Sequence, residues 1–184
     1  MKSCKHSWSI AVFTVFILFT WSSYGFGYGD DEKARNTLRG IGTIGIVVDW
    51  DGTGIEEEAL KASKEKLQKD ISLRLKQKGI KVHSKGTIDN PPFLYIEIHS
   101  YRCGNNVHAA YFGVKVMQEI VLKEKQAVSS TSPTWSSGGV VGIVRDEAFE
   151  DVIGNLVDEF ASAYLTVNPE GEVKEENSDR KKTI

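Results

Sequence analysis

The amino-acid sequence predicts an α+β fold, a two-layer sandwich in which a mostly antiparallel sheet of four or five strands carries two helices on one face. Two long segments carry apolar residues at helical spacing, and in the first of them Leu60, Leu67, Ile71 and Leu75 share one side. Other segments alternate apolar and polar residues, as half-buried strands do. Because each helix has one apolar face, the order β-α-β-β-β-β-α favours two layers with both helices on the same side of the sheet.

The first strand and the first helix are predicted from consecutive patterns. Residues 41–50 alternate as a strand, and Thr53 and Glu56 then form a capping-box pattern at a helix start. The helix is expected to run to about Lys78, where Gly79 can end it.

The middle of the chain is predicted to consist of strands. A short second strand is expected at 80–83, and the prolines at 91–92 break the chain before a strong strand at 93–103. Residues 104–106 suggest a hairpin turn leading to a strand at 111–123. A helix is the alternative for this last segment, since some of its apolar residues also lie four apart.

The last third is predicted as a connection, a strand and a helix. Residues 129–139 are rich in Ser, Thr and Gly and are expected to connect the preceding strand to a final one at 140–144. Asp146 can cap the last helix, which should end at Asn168-Pro169. Gly154 inside it indicates a close approach to the sheet or to the other helix.

The chain begins with the pattern of a secretory signal peptide. Lys2 and Lys5 give a positive start, residues 8–21 form an uncharged apolar run, and small residues follow up to Gly27. We expect cleavage after Gly27 or Gly25, with an uncleaved membrane anchor as the alternative.

The predicted organisation is a signal peptide at 1–27, a mobile lead-in at 28–40, a single domain at 41–169 and a disordered charged tail at 170–184. The protein is expected to be exported to the periplasm or the extracellular medium. Peripheral association with the cell envelope is compatible with this expectation. It should keep no stable membrane anchor once the signal peptide is removed.

Composition excludes several classes of function. The chain has 23 basic and 25 acidic residues, and loss of Lys2 and Lys5 with the leader makes it more acidic, so no general attraction to nucleic acid is expected. Cys103 would be the single cysteine of the mature protein, which allows no internal disulfide, and we expect it to be at least partly buried. The histidines lack the spacing of a zinc site, and neither a metal nor a cofactor is predicted.

One motif indicates an enzyme. The apolar strand followed by Asp49-Trp50-Asp51-Gly52-Thr53 resembles the first motif of the haloacid dehalogenase superfamily. The resemblance implies a magnesium-dependent phosphatase with Asp49 as the nucleophile and Asp51 as the general acid/base. The same residues also suit a polar turn before a helix.

A second resemblance covers most of the mature chain. The segments LRLKQKGIKV at 73–82, TWS at 134–136, LVDEF at 156–160 and YLTVNP at 164–169 resemble landmarks of a family of small exported bacterial proteins without an established function. The order of elements is similar to that of envelope domains such as the amino-terminal domain of TolB and the activators of penicillin-binding proteins. These resemblances imply an exported, protein-binding domain and carry no catalytic residues.

The sequence therefore favours a non-catalytic protein-binding or assembly module over an enzyme, with an unknown envelope protein or a second copy as its partner. Tyr95, Glu97, His99 and Tyr101 alternate on the strand face that the helices should leave uncovered, and they are the candidate partner-binding residues. A small-ligand or lipid-binding domain is a further alternative, with a groove near Trp50 and Trp135.

Overall fold

The computed structural model describes residues 30–83, 92–122 and 125–169. The predicted signal peptide and the predicted charged tail lie wholly outside this part of the chain. Residues 28–29 of the predicted lead-in and Pro91 also lie outside it. Within it, no helix combines the length and the apolar character needed to span a membrane.

A single sheet of four strands forms one layer of the described structure. The strands β1 (Gly45–Thr53), β2 (Phe93–Gly104), β3 (Val107–Leu122) and β4 (Lys125–Arg145) lie side by side in chain order. β1 is parallel to β2, whereas β2–β3 and β3–β4 are antiparallel pairs. The predicted α+β architecture with a mostly antiparallel sheet is confirmed, and the parallel pair follows from the helical crossover between β1 and β2.

The helices form the second layer. They are α1 (Glu32–Asn36), α2 (Glu57–Gln77) and α3 (Phe149–Val167), the last of which follows a 3-10 turn at Asp146–Ala148. Buried residues of α2 and α3 belong to one core together with alternate residues of the central strands, which are Leu94, Ile96, Ile98, Phe112, Val114 and Val116. Both long helices therefore cover the same face of the sheet, as predicted.

The hairpin between β2 and β3 lies where the sequence predicts it. Asn105 and Asn106 form a two-residue turn, and Asn106 has a φ of 56°. Asparagine tolerates this left-handed conformation better than most residues. The segment after the turn is a strand, so its alternation outweighs the helical spacing that it also shows.

The largest difference from prediction is the segment 129–139, which is part of β4 and not a connection. Its backbone pairs with β3 from Ser129, opposite Val121, to Ser137, opposite Val114. The helices cover only one face of the antiparallel part of the sheet, so β4 needs apolar side chains on that face alone, and a Ser/Thr-rich sequence can remain a strand. Gly138 then takes a φ of 107° at a register shift opposite Phe112 and Gly113.

Two helix starts and one strand also differ from prediction. Thr53 is the last residue of β1, and the N-cap of α2 is Glu56, which makes no side-chain capping hydrogen bond. Asp146 opens the 3-10 turn and is not the cap of α3. The expected strand at 80–83 is reduced to an isolated parallel bridge in which Val82 pairs with Ile44.

The described part of the expected lead-in is folded. Residues 30–40 include α1, and Leu38 is fully buried in the core. The side chain of Asn168, after the end of α3, donates to the Leu38 carbonyl at 2.9 Å and accepts from the Gly40 amide at 2.7 Å. Tyr164 donates to the Ile41 carbonyl, so the end of α3 fixes this segment to the domain.

Candidate functional site

The four candidate partner-binding residues lie together on the sheet face opposite α2 and α3, which we call the outer face. Tyr95, Glu97, His99 and Tyr101 alternate with the buried Leu94, Ile96, Ile98 and Ser100, and His99 and Tyr101 are exposed. The structure therefore brings them onto one surface, as the strand period requires.

Most of these residues belong to a polar network. Tyr95 donates a hydrogen bond to the Asp49 carboxylate, and Lys115 Nζ lies 2.6 Å from Glu97 Oε2. His99 Nε2 is 3.3 Å from the other carboxylate oxygen of Glu97. The side chains of Tyr95, Glu97 and His99 thus have hydrogen-bond partners within the outer face.

The network shifts two pKa values. Partial burial and the hydrogen bond to the Asp49 carboxylate raise the pKa of Tyr95, because both disfavour the phenolate. Burial opposes ionisation of Glu97, but the hydrogen bonds from Lys115 and His99 together lower its pKa.

Asp49 and Asp51, the alternative catalytic pair, also lie on the outer face. They pair in register with Glu97 and His99 of β2, and Asp51 is exposed with an oxygen 4.0 Å from His99 Nδ1. Among the described residues, no cluster of three or more His, Cys, Asp or Glu side chains could hold a metal ion. The described residues therefore supply no metal-ligand set around this pair.

An apolar patch adjoins this network on the outer face. Tyr101, Val141 and Ile143 are 60%, 77% and 70% exposed, although they are large apolar or aromatic residues. Tyr101 of β2 pairs with Ala109 of β3, which in turn pairs with Ile143 of β4, so the three residues form one row across the sheet. In the next row on this face, Val141 of β4 pairs with Tyr111 of β3. We call Tyr101, Val141 and Ile143 the apolar patch.

Sequence reasoning missed the two β4 members of the patch. The run Val140-Val141-Gly142-Ile143-Val144 was expected to be an ordinary strand, but its odd-numbered residues point away from the core. A continuous apolar run on an edge strand is the signal that could have identified them.

β4 is an edge of the sheet, and its two halves differ. Near its middle, the Thr134 carbonyl accepts a hydrogen bond at 3.2 Å from the Thr37 hydroxyl, just after α1. In the part of the chain that the structure describes, no strand pairs with the outer side of β4. The half that carries Val141 and Ile143 can therefore accept another strand.

A pocket of about 370 Å³ lies on the helix side of the sheet, between α2 and the start of α3. Trp50, Ile55 and Phe149 contribute apolar walls to it. The rings of Trp50 and Phe149 stack at 5.2 Å with an interplanar angle of 17°, and Trp50 Nε1 donates to Ser100 Oγ at 2.9 Å. The aromatic wall is thereby fixed in position.

Two pairs of polar groups border the pocket. His108, 3% exposed, has Nε2 at 2.7 Å from Asp146 Oδ1, whereas its buried Nδ1 has no hydrogen-bond partner among the described residues. Lys66 of α2 forms an ion pair with Glu150 of α3 across the pocket. Lys66 and Glu150 therefore form one pair at the pocket, and His108 Nε2 and Asp146 form the other.

Arg102 is the exception. It lines the same pocket directly opposite His108 in the β2–β3 register, and it is exposed. Within the described ranges it has neither a hydrogen-bond nor an ion-pair partner. Of the basic side chains that line the pocket, Lys66 is paired with Glu150, whereas Arg102 has no partner in the described part of the protein.

Trp135 does not share this pocket with Trp50. Its side chain is 2% exposed, packs against Phe160 with ring centroids 5.5 Å apart, and donates from Nε1 to Asp30 Oδ1 at 3.1 Å. It lines a separate pocket beside α1. The structure therefore does not bring the two tryptophans into one groove.

Cys103 is exposed, so the prediction of a buried thiol is wrong. It lies at the end of β2 beside the hairpin turn, beyond the strand residues that the core covers. Its position leaves the thiol open to solvent.

Comparison with known proteins found neither a matching protein-family model nor a matching curated protein. The family resemblances of the sequence and the expected export remain predictions.

Proposed function

We propose that this protein is a non-catalytic exported module that binds protein, and that its partner docks at the apolar patch and the neighbouring edge of β4. The observation that carries the proposal is the exposure of Val141 and Ile143 on the edge strand β4, with the exposed Tyr101 of β2 in the same row as Ile143. Export to the periplasm or envelope rests on the signal-peptide pattern of the sequence.

The exposed patch supports binding on energetic grounds. Full burial of one large apolar side chain contributes roughly 1.5–3 kcal/mol, so two aliphatic residues and a tyrosine supply a useful part of an interface. Soluble proteins usually protect edge strands with charges, proline or a bulge. On β4 the register shift at Gly138 and the charge of Arg145 flank Val141 and Ile143, and the regular segment between them, residues 140–144, is the part of the edge that can pair.

A second copy of the chain is the occupant that this edge fits best. If two β4 strands pair antiparallel about Gly142, Val141 of each copy lies beside Ile143 of the other. The same surface then serves both sides, as a two-fold interface requires. The two sheets would join into one, with the apolar patches adjacent. An extended segment of another envelope protein is the competing occupant.

The oligomeric state tests the proposal. Light scattering coupled to size-exclusion chromatography should give a dimer for the wild type and a monomer for the double variant Val141→Lys/Ile143→Lys. Leu73→Lys is the matched control, since Leu73 is 57% exposed but lies on α2, and it should remain dimeric.

A monomeric wild type would overturn the dimer. In that case the wild type should crosslink to one defined envelope protein, and the double variant should lose this adduct. Absence of such an adduct would show that the proposed docking surface is wrong. Recovery of the unprocessed chain from the cytosol would contradict export. Magnesium-dependent hydrolysis of a phosphomonoester that Asp49→Asn abolishes would replace the proposal with the phosphatase.

A further inference from the structure

We infer that the pocket beside Trp50 binds a small aromatic carboxylate, with its ring against the Trp50–Phe149 wall and its carboxylate on Arg102. This site is on the opposite face of the sheet from the apolar patch, and it does not depend on the protein-binding proposal.

The pocket has the size and character of a ligand site. Its volume of about 370 Å³ lies in the range of roughly 300–1,000 Å³ that is typical of small-molecule pockets. The wall opposite the helices depends on Gly52, because a Cβ at that position would lie 2.8 Å from the Cδ1 of Ile55. The glycine therefore lets Ile55 fold over the strand and contribute to the pocket.

The aromatic wall favours a flat, compact ligand. Trp50 and Phe149 lie nearly parallel, and His108 meets Phe149 edge-on with ring centroids 5.3 Å apart. Stacked or edge-on contact with a further ring adds about 0.5–1.5 kcal/mol beyond the burial of apolar area. A long alkyl chain does not gain this contribution.

The free charge selects an anion. Lys66 is paired with Glu150, and His108 is bonded to Asp146, so Arg102 is the cation of the pocket that has no described partner. A guanidinium binds a carboxylate through two parallel hydrogen bonds, a geometry that an ammonium group cannot reproduce. A neutral ligand of the same shape would leave Arg102 unpaired.

The test compares 2-naphthoate with its neutral analogue 2-naphthamide, by isothermal titration calorimetry on the full chain. The wild type should bind the carboxylate at least fivefold more tightly than the amide. Arg102→Gln should lower the affinity for naphthoate about tenfold and leave that for naphthamide unchanged. Arg39→Gln is the matched control, since Arg39 is an exposed arginine next to α1 and away from the pocket.

A second variant locates the site. Ser63→Phe places a ring inside the pocket from α2 and should abolish binding of both compounds, with an unchanged far-ultraviolet circular dichroism spectrum. The inference is overturned if neither compound binds, if Arg102→Gln weakens both equally or neither, or if decanoate binds and naphthoate does not. None of these outcomes depends on the oligomeric state, so the two proposals can fail separately.

Discussion

The ion pair that joins the two long helices makes a quantitative prediction about stability and pH. Arg74 of α2 binds Asp158 of α3 through two hydrogen bonds, with Nε 2.8 Å from Oδ1 and Nη2 2.7 Å from Oδ2. Lys78 adds a third contact, since its Nζ lies 3.3 Å from Oδ1. The hydrogen bonds from Arg74 lower the pKa of Asp158 to about 2. Partial burial of the carboxylate acts in the opposite direction and raises the pKa, whereas the contact with Lys78 lowers it further.

The magnitude follows from linkage. A carboxyl group with a pKa of 3.8 in the unfolded chain and about 2 in the fold stabilises the fold by at most roughly 2.4 kcal/mol. Asp158 is 35% exposed and Arg74 42%, so solvent screens the pair and we expect about 1 kcal/mol. Because the pKa is lower in the fold, this contribution is complete above about pH 5 and is largely lost as the pH falls to about 2.

Urea unfolding of the wild type and of Asp158→Asn measures this contribution. The variant should be less stable by about 1 kcal/mol at pH 6, and the difference should fall towards zero at pH 2. Glu65→Gln is the control, because Glu65 is exposed on α2 and forms no ion pair within the described residues. A difference that does not change with pH, or one below 0.3 kcal/mol at pH 6, would refute the link between the pKa shift and stability.

The remaining predictions concern a glycine and a thiol. A Cβ at Gly154 would lie 2.6 Å from Arg74 Nη1, so Gly154→Ala should bring no stability in the wild type. In the Arg74→Ala background, the same change should stabilise by about 1 kcal/mol in urea unfolding, and an equal gain in both backgrounds would contradict the steric explanation. Cys103 should react with a thiol reagent in native protein as fast as in urea, and protection in native protein would contradict its exposure.

The sequence was sufficient where one face of an element is buried over several consecutive turns or alternate residues, as from Leu67 to Leu75 in α2. The 3.6-residue spacing in α2 and α3 and the alternation in β2 predict the elements and the faces that the core covers, because burial acts on every turn or every second residue. For Gly154 the sequence predicted a close approach either to the sheet or to the other helix, and the structure places it against Arg74 of α2.

The sequence was insufficient where other parts of the chain determine the structure. α1 has five residues, too few for a periodic pattern, and it is followed by a segment that Asn168 holds from the far end of the domain. The pocket requires the β2–β3 register, which places Arg102 opposite His108. It also requires the contact of His108 with Asp146, which follows the predicted strand at 140–144 but belongs to no local sequence pattern.

The two proposed sites lie on opposite faces of the sheet, because successive side chains of β2 point to opposite sides. Tyr101 and Arg102 are neighbours in β2, but Tyr101 lies on the outer face and Arg102 lines the pocket on the helix side. Substitutions on opposite faces share no contacts, so their effects should add. If Arg102→Gln dissociated the dimer, or Val141→Lys weakened naphthoate binding, the sheet would transmit changes between its faces, and a single coupled site would replace two independent ones.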